Sequence, residues 1–314
     1  MIASAVAKIS QFDNVEQAKE YAAKKAIKSL GITKQPVFTE FSQNDEFILA
    51  VASVEDITAP VLPGTEITDE MCKYKRNRFT NKGSYGKVYV IGGCGNYVGA
   101  PLLSACAAVS AGAGLTTLCV ADGMIESYRR RVKEITLLTF PGKTHIEFSE
   151  SVAGEICERA DAIVVGPGMG RHTDTAKILK YLLENFGGRL IVDADGINSL
   201  SASPNFLEIG RKCDLILTPH VKEYERLAGN DDPREFAKKF KLNLALKNAY
   251  TLVTDGIVSY KVVSGCAAMA KGGSGDVLSG IVAAYSCRTA PLEALATACC
   301  LLYTSPSPRD PKTS

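Results

Sequence analysis

The chain lacks the markers of several protein classes. Its 10 cysteines include no Cys-x-x-Cys pair, and there are only 3 histidines, His145, His172 and His220. Ligands scattered in this way do not make a zinc site. No stretch reaches the roughly 18–20 consecutive apolar residues of a membrane span. Met1–Ser10 is mildly apolar but has no basic start, so it does not read as a signal peptide, and the cytoplasm is the expected compartment. Charge of one sign is also missing: 36 Lys+Arg against 34 Asp+Glu leave +2, too little to draw the chain to nucleic acid or an acidic membrane. No fixed-period repeat is found.

What remains is an ordinary globular composition, 46% hydrophobic and 22% charged over 314 residues. That is enough for one large α/β domain or two small domains with a core that needs no staples. Cys106, Cys119, Cys287, Cys299 and Cys300 lie in small, apolar stretches and read as reduced, compact hydrophobes.

Periodicity predicts an amphipathic helix over 13–31, with Asp13 and Glu16 as a capping box, and a strand within 47–57. Residues 59–70 are turn-rich and read as a linker, and residues 1–70 carry no assignable chemistry. From Lys87 onward, apolar β-branched runs at 87–93, 115–121, 162–168, 189–195, 214–220 and 251–256 alternate with helical patterns such as 100–114 and 175–187. Such alternation predicts βαβ units and a mostly parallel sheet covered on both faces. Residues 292–303 read as a last helix. Residues 304–314 form a Pro/Ser-rich polar tail that cannot pack, whether flexible or foreign to the domain.

Gly, Asp, Thr, Pro or His follows each strand, and open α/β sheets bind ligands at their strands' carboxyl ends. The strongest motif is KGGSGDVLSGIVAA (271–284), in which Gly273, Ser274 and Gly275 lead into a helix near Asp276. Glycines let backbone N–H groups approach a phosphate, and the helix start adds positive potential. No GKS or GKT follows, so this is not a Walker loop. Asp276 is either a helix cap or a general base that takes a substrate hydroxyl's proton during attack on a phosphoryl group. GGCGNYVGAP (92–101) and GPGMG (166–170) are glycine turns, readable as plain turn chemistry or as ligand-facing backbone. In DADGIN (193–198), Asp193 and Asp195 either orient Mg²⁺ or a polar ligand, or Asp195 caps the next helix. His220, in LTPHVKEYERL (217–227), is structural or site-forming. Lys247 and Thr251 flank a turn in LALKNAYTLVTDG (244–256); the lysine either meets a phosphate or stands in solvent.

Taken in order, KGSYGKVYVIGGCGNYVGAP, AGAGL, GPGMG, DADGIN, LTPHVKEYERL, LALKNAYT and MAKGGSGDVLSGI resemble the NAD(P)H-hydrate dehydratases. These are ribokinase-like repair enzymes that also form the C-terminal half of bifunctional epimerase/dehydratases. Each motif is weak alone; seven in order over about 71–300 are specific. The resemblance implies a three-layer α/β/α fold over 71–303. It also implies repair of NADH or NADPH hydrate (NADHX or NADPHX) by phosphorylation of the ring hydroxyl and elimination of phosphate. The co-substrate implied is ADP, with ATP as the alternative, together with Mg²⁺. Carried over by residue, Asp276 is the catalytic aspartate, at the substrate hydroxyl. Ala100, Gly168 and His220 line the hydrated-nicotinamide site. Lys247, Asn248, Ala249, Tyr250 and Thr251, with Gly273, Ser274 and Gly275, hold the nucleotide.

Four departures from the family pattern stand out. Asn248 replaces a glycine, Asn81 stands where a histidine usually precedes Lys-Gly, and Val221 and Lys222 replace small or proline residues. Past Leu301 the tail replaces a His-Gly-x-Ala-Gly-Asp helix. No Asn-Asn-Gly-Gly-Asp-Gly loop of the epimerase half is present, so dehydratase activity alone is expected, with a separate epimerase as a partner on the same metabolite. A homo-oligomer, a tetramer by family resemblance, is expected. A small-molecule kinase of the same superfold and a non-catalytic nucleotide binder are the competing functions.

Overall fold

The computed structural model describes residues 2–8, 17, 38–43, 47–53, 82–248, 251–262 and 271–304. The chain divides into two compact units, Met1–Pro63 and Gly64–Ser314. In the first, β1 (Ile2–Lys8), β2 (Phe38–Gln43) and β3 (Phe47–Ser53) form an antiparallel sheet in the order β1-β3-β2. Of these, only β3 coincides with a strand expected from the sequence. The helix expected over 13–31 lies outside the described residues except for Gln17, which is helical. The linker at 59–70 and the tail beyond residue 304 also lie outside them.

The second unit is a nine-stranded sheet in the order β12-β11-β10-β9-β8-β7-β4-β5-β6. Its first half runs β4 (Lys87–Ile91), α1 (Gly99–Ser110), β5 (Leu115–Ala121), α2 (Ile125–Arg129) and β6 (Thr136–Phe140). The chain then crosses through α3 (Glu150–Arg159) to β7 (Ala162–Val165), on the other side of β4. From there it builds outward through α4 (Thr173–Asn185), β8 (Arg189–Val192), α5 (Asp195–Ala202) and β9 (Asp214–Leu217). It continues through α6 (Val221–Ala228), α7 (Pro233–Phe240) and β10 (Asn243–Leu246).

All pairings from β6 to β10 are parallel. β11 (Thr251–Thr254) and β12 (Ser259–Val262) then add antiparallel. Two helices close the unit, α8 (Ser274–Ser286) and α9 (Pro291–Thr304).

Parallel strands in such a sheet must be apolar on both faces, because helices cover both. The sequence complies: Ile163, Val164 and Val165 in β7, Leu190, Ile191 and Val192 in β8, and Leu215, Ile216 and Leu217 in β9 are fully buried. The helices pack as two sets, α1 with α8 and α9, and α3 through α6 in succession. The sheet lies between them, which is the ribokinase-like α/β/α arrangement.

Five strands, β4, β7, β8, β9 and β11, end two or three residues earlier than their sequence patterns suggest. β7 stops at Val165 and β8 at Val192, because Gly166 takes φ +123° and residues 193–195 turn sharply into α5. The residues cut from β7 and β8 are among those that form the site. β6, β10 and β12 have no counterpart among the strands expected from the sequence.

Strand order reverses between β4 and β7. The chain leaves β4 toward one edge of the sheet and leaves β7 toward the other. Loops leaving adjacent strands in opposite directions open a crevice at the strands' carboxyl ends.

Candidate active site at the topological switch

The loops after β4 and β7 meet in this crevice, where the Gly93 N–H donates to the Pro167 carbonyl at 2.9 Å. Gly168 takes φ +63°, and a Cβ there would stand 2.8 Å from the Tyr97 Cβ and 3.1 Å from the Ala100 Cβ. The fold therefore brings Ala100 and Gly168 together, as the family resemblance implies. Tyr97 joins them, an aromatic residue 57% exposed at the crevice mouth. The sequence reading did not single it out; its place in a glycine turn just before a helix was the available signal.

The next wall comes from β8. Asp193 is almost fully buried, and its Oδ1 accepts from the Thr218 hydroxyl at 2.8 Å and from the Lys247 ammonium at 3.0 Å. Lys247 is thus neither a solvated lysine nor a residue isolated in its turn; its side chain is 18% exposed. Asp195 does not cap α5. Ala194 is the N-cap, strained at φ +48°, and the Asp195 carboxylate accepts from the Gly170 N–H at 2.8 Å and from the Asn198 amide at 3.2 Å. A non-glycine residue at positive φ costs about 1 kcal/mol or more, and such strain gathers at functional sites. Asp195 therefore fastens the GPGMG loop to the start of α5.

His220 fulfils its structural reading. It is the N-cap of α6 in a capping box: the Glu223 N–H donates to Nδ1 at 3.3 Å, and the His220 N–H donates to Glu223 Oε2 at 2.9 Å. An accepting Nδ1 places the neutral ring's proton on Nε2. The ring is nonetheless half exposed at the end of β9. Backbone pairing of His220 with Lys247, together with the Lys247 N–H to the Pro219 carbonyl at 2.8 Å, brings it beside the lysine segment.

The last wall is α8. It starts at Ser274, with Gly273 as N-cap at φ +94° and no side-chain cap. Asp276 is the third helical residue, so the capping alternative is set aside. A Cβ on Gly275 would stand 3.1 Å from the Lys247 Nζ, which places the ammonium over the helix's first turn. First-turn N–H groups have no partner within the helix and carry the positive end of its dipole. Cation and helix start together make a cradle for an anion. Asp276 stands at its lip. Burial, and then the negative charge of Asp193, push its carboxyl up to about 6 against the opposing pull of Lys247. A carboxyl titrating there suits proton transfer near neutral pH.

Of the remaining expected nucleotide residues, Asn248 follows β10 and Thr251 opens β11, Thr251 being buried. Ala249 and Tyr250 lie outside the described residues. Among the described residues, no group of three His, Cys, Asp or Glu side chains is placed to hold a metal. Among the described residues, no helix is long and apolar enough to cross a membrane.

The comparisons agree with this geometry. A family model described as NAD(P)H-hydrate dehydratase matches residues 88–305. The bifunctional NAD(P)H-hydrate repair enzyme Nnr of Archaeoglobus fulgidus is 34% identical over 224 residues, covering 70% of this chain and 45% of that one. The ADP-dependent (S)-NAD(P)H-hydrate dehydratase of Staphylococcus aureus is 31% identical over 220 residues, covering 67% and 76%. The chain thus spans less than half the length of the bifunctional relative. Among solved structures, a ribokinase-like superfamily protein of Enterococcus faecalis superposes with a TM-score of 0.66 at 25% identity, over 76% of this chain and 85% of that one. The ADP/ATP-dependent NAD(P)H-hydrate dehydratase of Bacillus subtilis, co-crystallised with ATP/Mg²⁺, shares the fold with a TM-score of 0.65 at 23% identity, over 76% and 87%. By the matched span, and by the order in which the strand-end residues assemble around the crevice, the chain belongs to the NAD(P)H-hydrate dehydratase family.

Proposed function

We propose that this protein restores hydrated NADH or NADPH by ADP-dependent dehydration, releasing AMP and phosphate. The observation that carries the reading is the placement of Asp276 at the lip of an anion cradle made by Lys247 and the first turn of α8. In the forward direction, Asp276 takes the proton from the ring hydroxyl as its oxygen attacks the terminal phosphoryl group of ADP. Lys247 and the N–H groups of the first turn stabilise the phosphoryl oxygens, and AMP leaves. The carbon–oxygen bond of the phosphorylated ring then breaks, driven by the ring nitrogen's lone pair. Phosphate departs, and loss of a proton from the neighbouring carbon restores the double bond. Phosphate is a far better leaving group than hydroxide, which is why a kinase scaffold can serve a dehydratase.

Ala100, Gly168 and Tyr97 are the surfaces offered to the nicotinamide side, and His220, which pairs with Lys247 through its backbone, is the residue read as reaching it from the nucleotide segment. Mg²⁺ would arrive on the nucleotide, held by its phosphates and by water. Asp193 is unsuited as a direct ligand through Oδ1, which already holds an ammonium and a hydroxyl. When bound, the ion supplies neutralisation of phosphate charge. A separate epimerase interconverting the two hydrate forms would be the natural companion.

The test is incubation with acid-generated hydrated NADH and ADP or ATP, following the reduced-nicotinamide absorbance. Recovery with ADP that is lost in Asp276→Ala supports the reading. Recovery with ATP alone corrects the nucleotide. A phosphorylated product that accumulates from another small molecule, without absorbance recovery, replaces the dehydratase with a kinase.

A further inference from the structure

We propose that Asp193 is a positioning residue, whose buried carboxylate fixes the Lys247 ammonium over the first turn of α8 and sets the charge around Asp276. The proposal rests on the reading of Asp276 as the base and Lys247 as the phosphate cation.

Asp193 is anchored on both sides through its backbone. Its N–H donates to the Val165 carbonyl at 3.1 Å, and its carbonyl accepts from the Gly196 N–H at 3.0 Å. Its carboxylate is oriented by the Thr218 hydroxyl from the end of β9 and closes on Lys247 from the end of β10. Three adjacent strands thus converge on one carboxylate. Its second oxygen faces α8, 3.8 Å from where a Cβ on Gly275 would stand. A buried ion must be paired and hydrogen-bonded to be tolerated, and this one is both. A pair serving stability alone needs no particular address. This one stands against the helix start that carries the base.

Lysine is a point charge on a flexible four-carbon stem, so an ammonium meant for a phosphate needs something to hold it in place. Asp193 supplies that hold. Among the described residues, the charged groups facing Asp276 are Asp193 and Asp195 from the β8–α5 corner and Lys247 from β10. From α1 comes the Ser104 hydroxyl, which donates to the Asp276 carbonyl. Behind Lys247, α9 presents the buried Cys299 thiol, pushed up to about 12 by burial and therefore neutral.

The test uses the full chain with Asp193→Asn, Lys247→Met and the double variant. ADP affinity is read by calorimetry, and the Asp276 carboxyl is titrated by carbon-13 NMR without ligand. Asp193→Asn is expected to weaken ADP about tenfold, the size of one charge-assisted hydrogen bond. The double variant should bind no worse than Lys247→Met alone. Loss of the Asp193 charge should move the Asp276 titration to lower pH, and Lys247→Met should move it to higher pH. Where hydrate turnover is measurable, kcat should fall more than KM for the hydrate changes.

Additive losses in ADP affinity, or an unmoved Asp276 titration in folded Asp193→Asn, would overturn the proposal. Thr218→Val guards against a variant that does not fold. It keeps both charges and frees the carboxylate to rotate, so ADP should bind about threefold more weakly with Lys247 present and no differently once Lys247 is Met. An equal loss in both backgrounds would assign Asp193 and Thr218 to stability alone. A wild-type protein that binds ADP but never restores NADH sinks the dehydratase reading and leaves this one standing.

Discussion

The Ser104 hydroxyl on α1 donates to the Asp276 carbonyl on α8 at 2.8 Å, and the Ser279 hydroxyl donates to the same oxygen at 2.8 Å. The helix leaving the switch point is therefore bonded directly to the residue read as the base. Ser104→Ala keeps the Ser279 bond and removes one buried neutral hydrogen bond, worth about 1 kcal/mol. The expected result is a fall in Tm of a few degrees, from thermal melts, with a several-fold drop in kcat. An unchanged kcat would show that α1 does not help to place the base.

Asp276→Ala should lower turnover about 10²–10⁴-fold, the usual share of a general base, while ADP affinity is retained. Calorimetry and the absorbance assay on the same sample check both halves. For the wild-type enzyme, activity should climb as pH rises through about 6, where the carboxyl becomes the ionised base.

The same carboxyl gives an opposite slope in stability. The folded chain holds this proton up to about 6, whereas an unfolded aspartate releases it near 3.9. Between roughly pH 4 and pH 6 the folded state binds more protons, so this residue's contribution falls as pH rises and is fully lost above that window. Asp276→Asn should therefore raise Tm at pH 7.5, and the gain should vanish below about pH 4. Parallel melts of the two proteins across pH 4–8 decide it.

Two glycines should separate site from scaffold. At Gly168 a Cβ meets the Tyr97 and Ala100 side chains at a positive φ, so Gly168→Ala is expected to cost about 1–2 kcal/mol and to raise KM for the hydrate with ADP affinity unchanged. At Gly280 a Cβ would overlap the Ser104 carbonyl, forcing α1 and α8 apart. Gly280→Ala should cost about 1–3 kcal/mol or more and lower kcat through the displaced Asp276. Chemical denaturation with steady-state kinetics distinguishes them; equal effects on KM would show that the two glycines act alike.

Much of the second unit was legible in the residues because buried parallel strands have to be apolar and have to stop at glycine or aspartate. Gly166 and Asp193 announced strand ends, and β7 and β8 end immediately before them, whereas Gly168 lies in the loop three residues past Val165. The pairing of Asp193 with Lys247 was not legible. The two are 54 positions apart, and nothing in their spacing says that β8 and β10 carry them to one point. Thr218 was hidden for the same reason: a threonine at a strand end looks like strand propensity until its hydroxyl finds a carboxylate. β12, with the sequence SYKV, is short and half polar because it is an edge strand, paired on one side alone and packed on one face by α9. β6 sits at the other edge, and a five-residue run there has no alternation to reveal it. Asp276 was placed correctly beside a helix start, but its exclusion as a cap needed the φ of Gly273.

The bond from Ser104 to Asp276 closes a loop of 172 residues, and Arg288 closes a similar one by donating to the Ala111 and Gly112 carbonyls at 2.9 and 3.2 Å. Contacts of such long range form late in folding, because their loop entropy must be met before they contribute. During synthesis the strands at the sheet's centre can assemble well before α8 exists. The nicotinamide-side loops would then stand in a nearly finished domain without base or cradle. A chain interrupted ahead of α8 would hold much of the sheet and none of the chemistry.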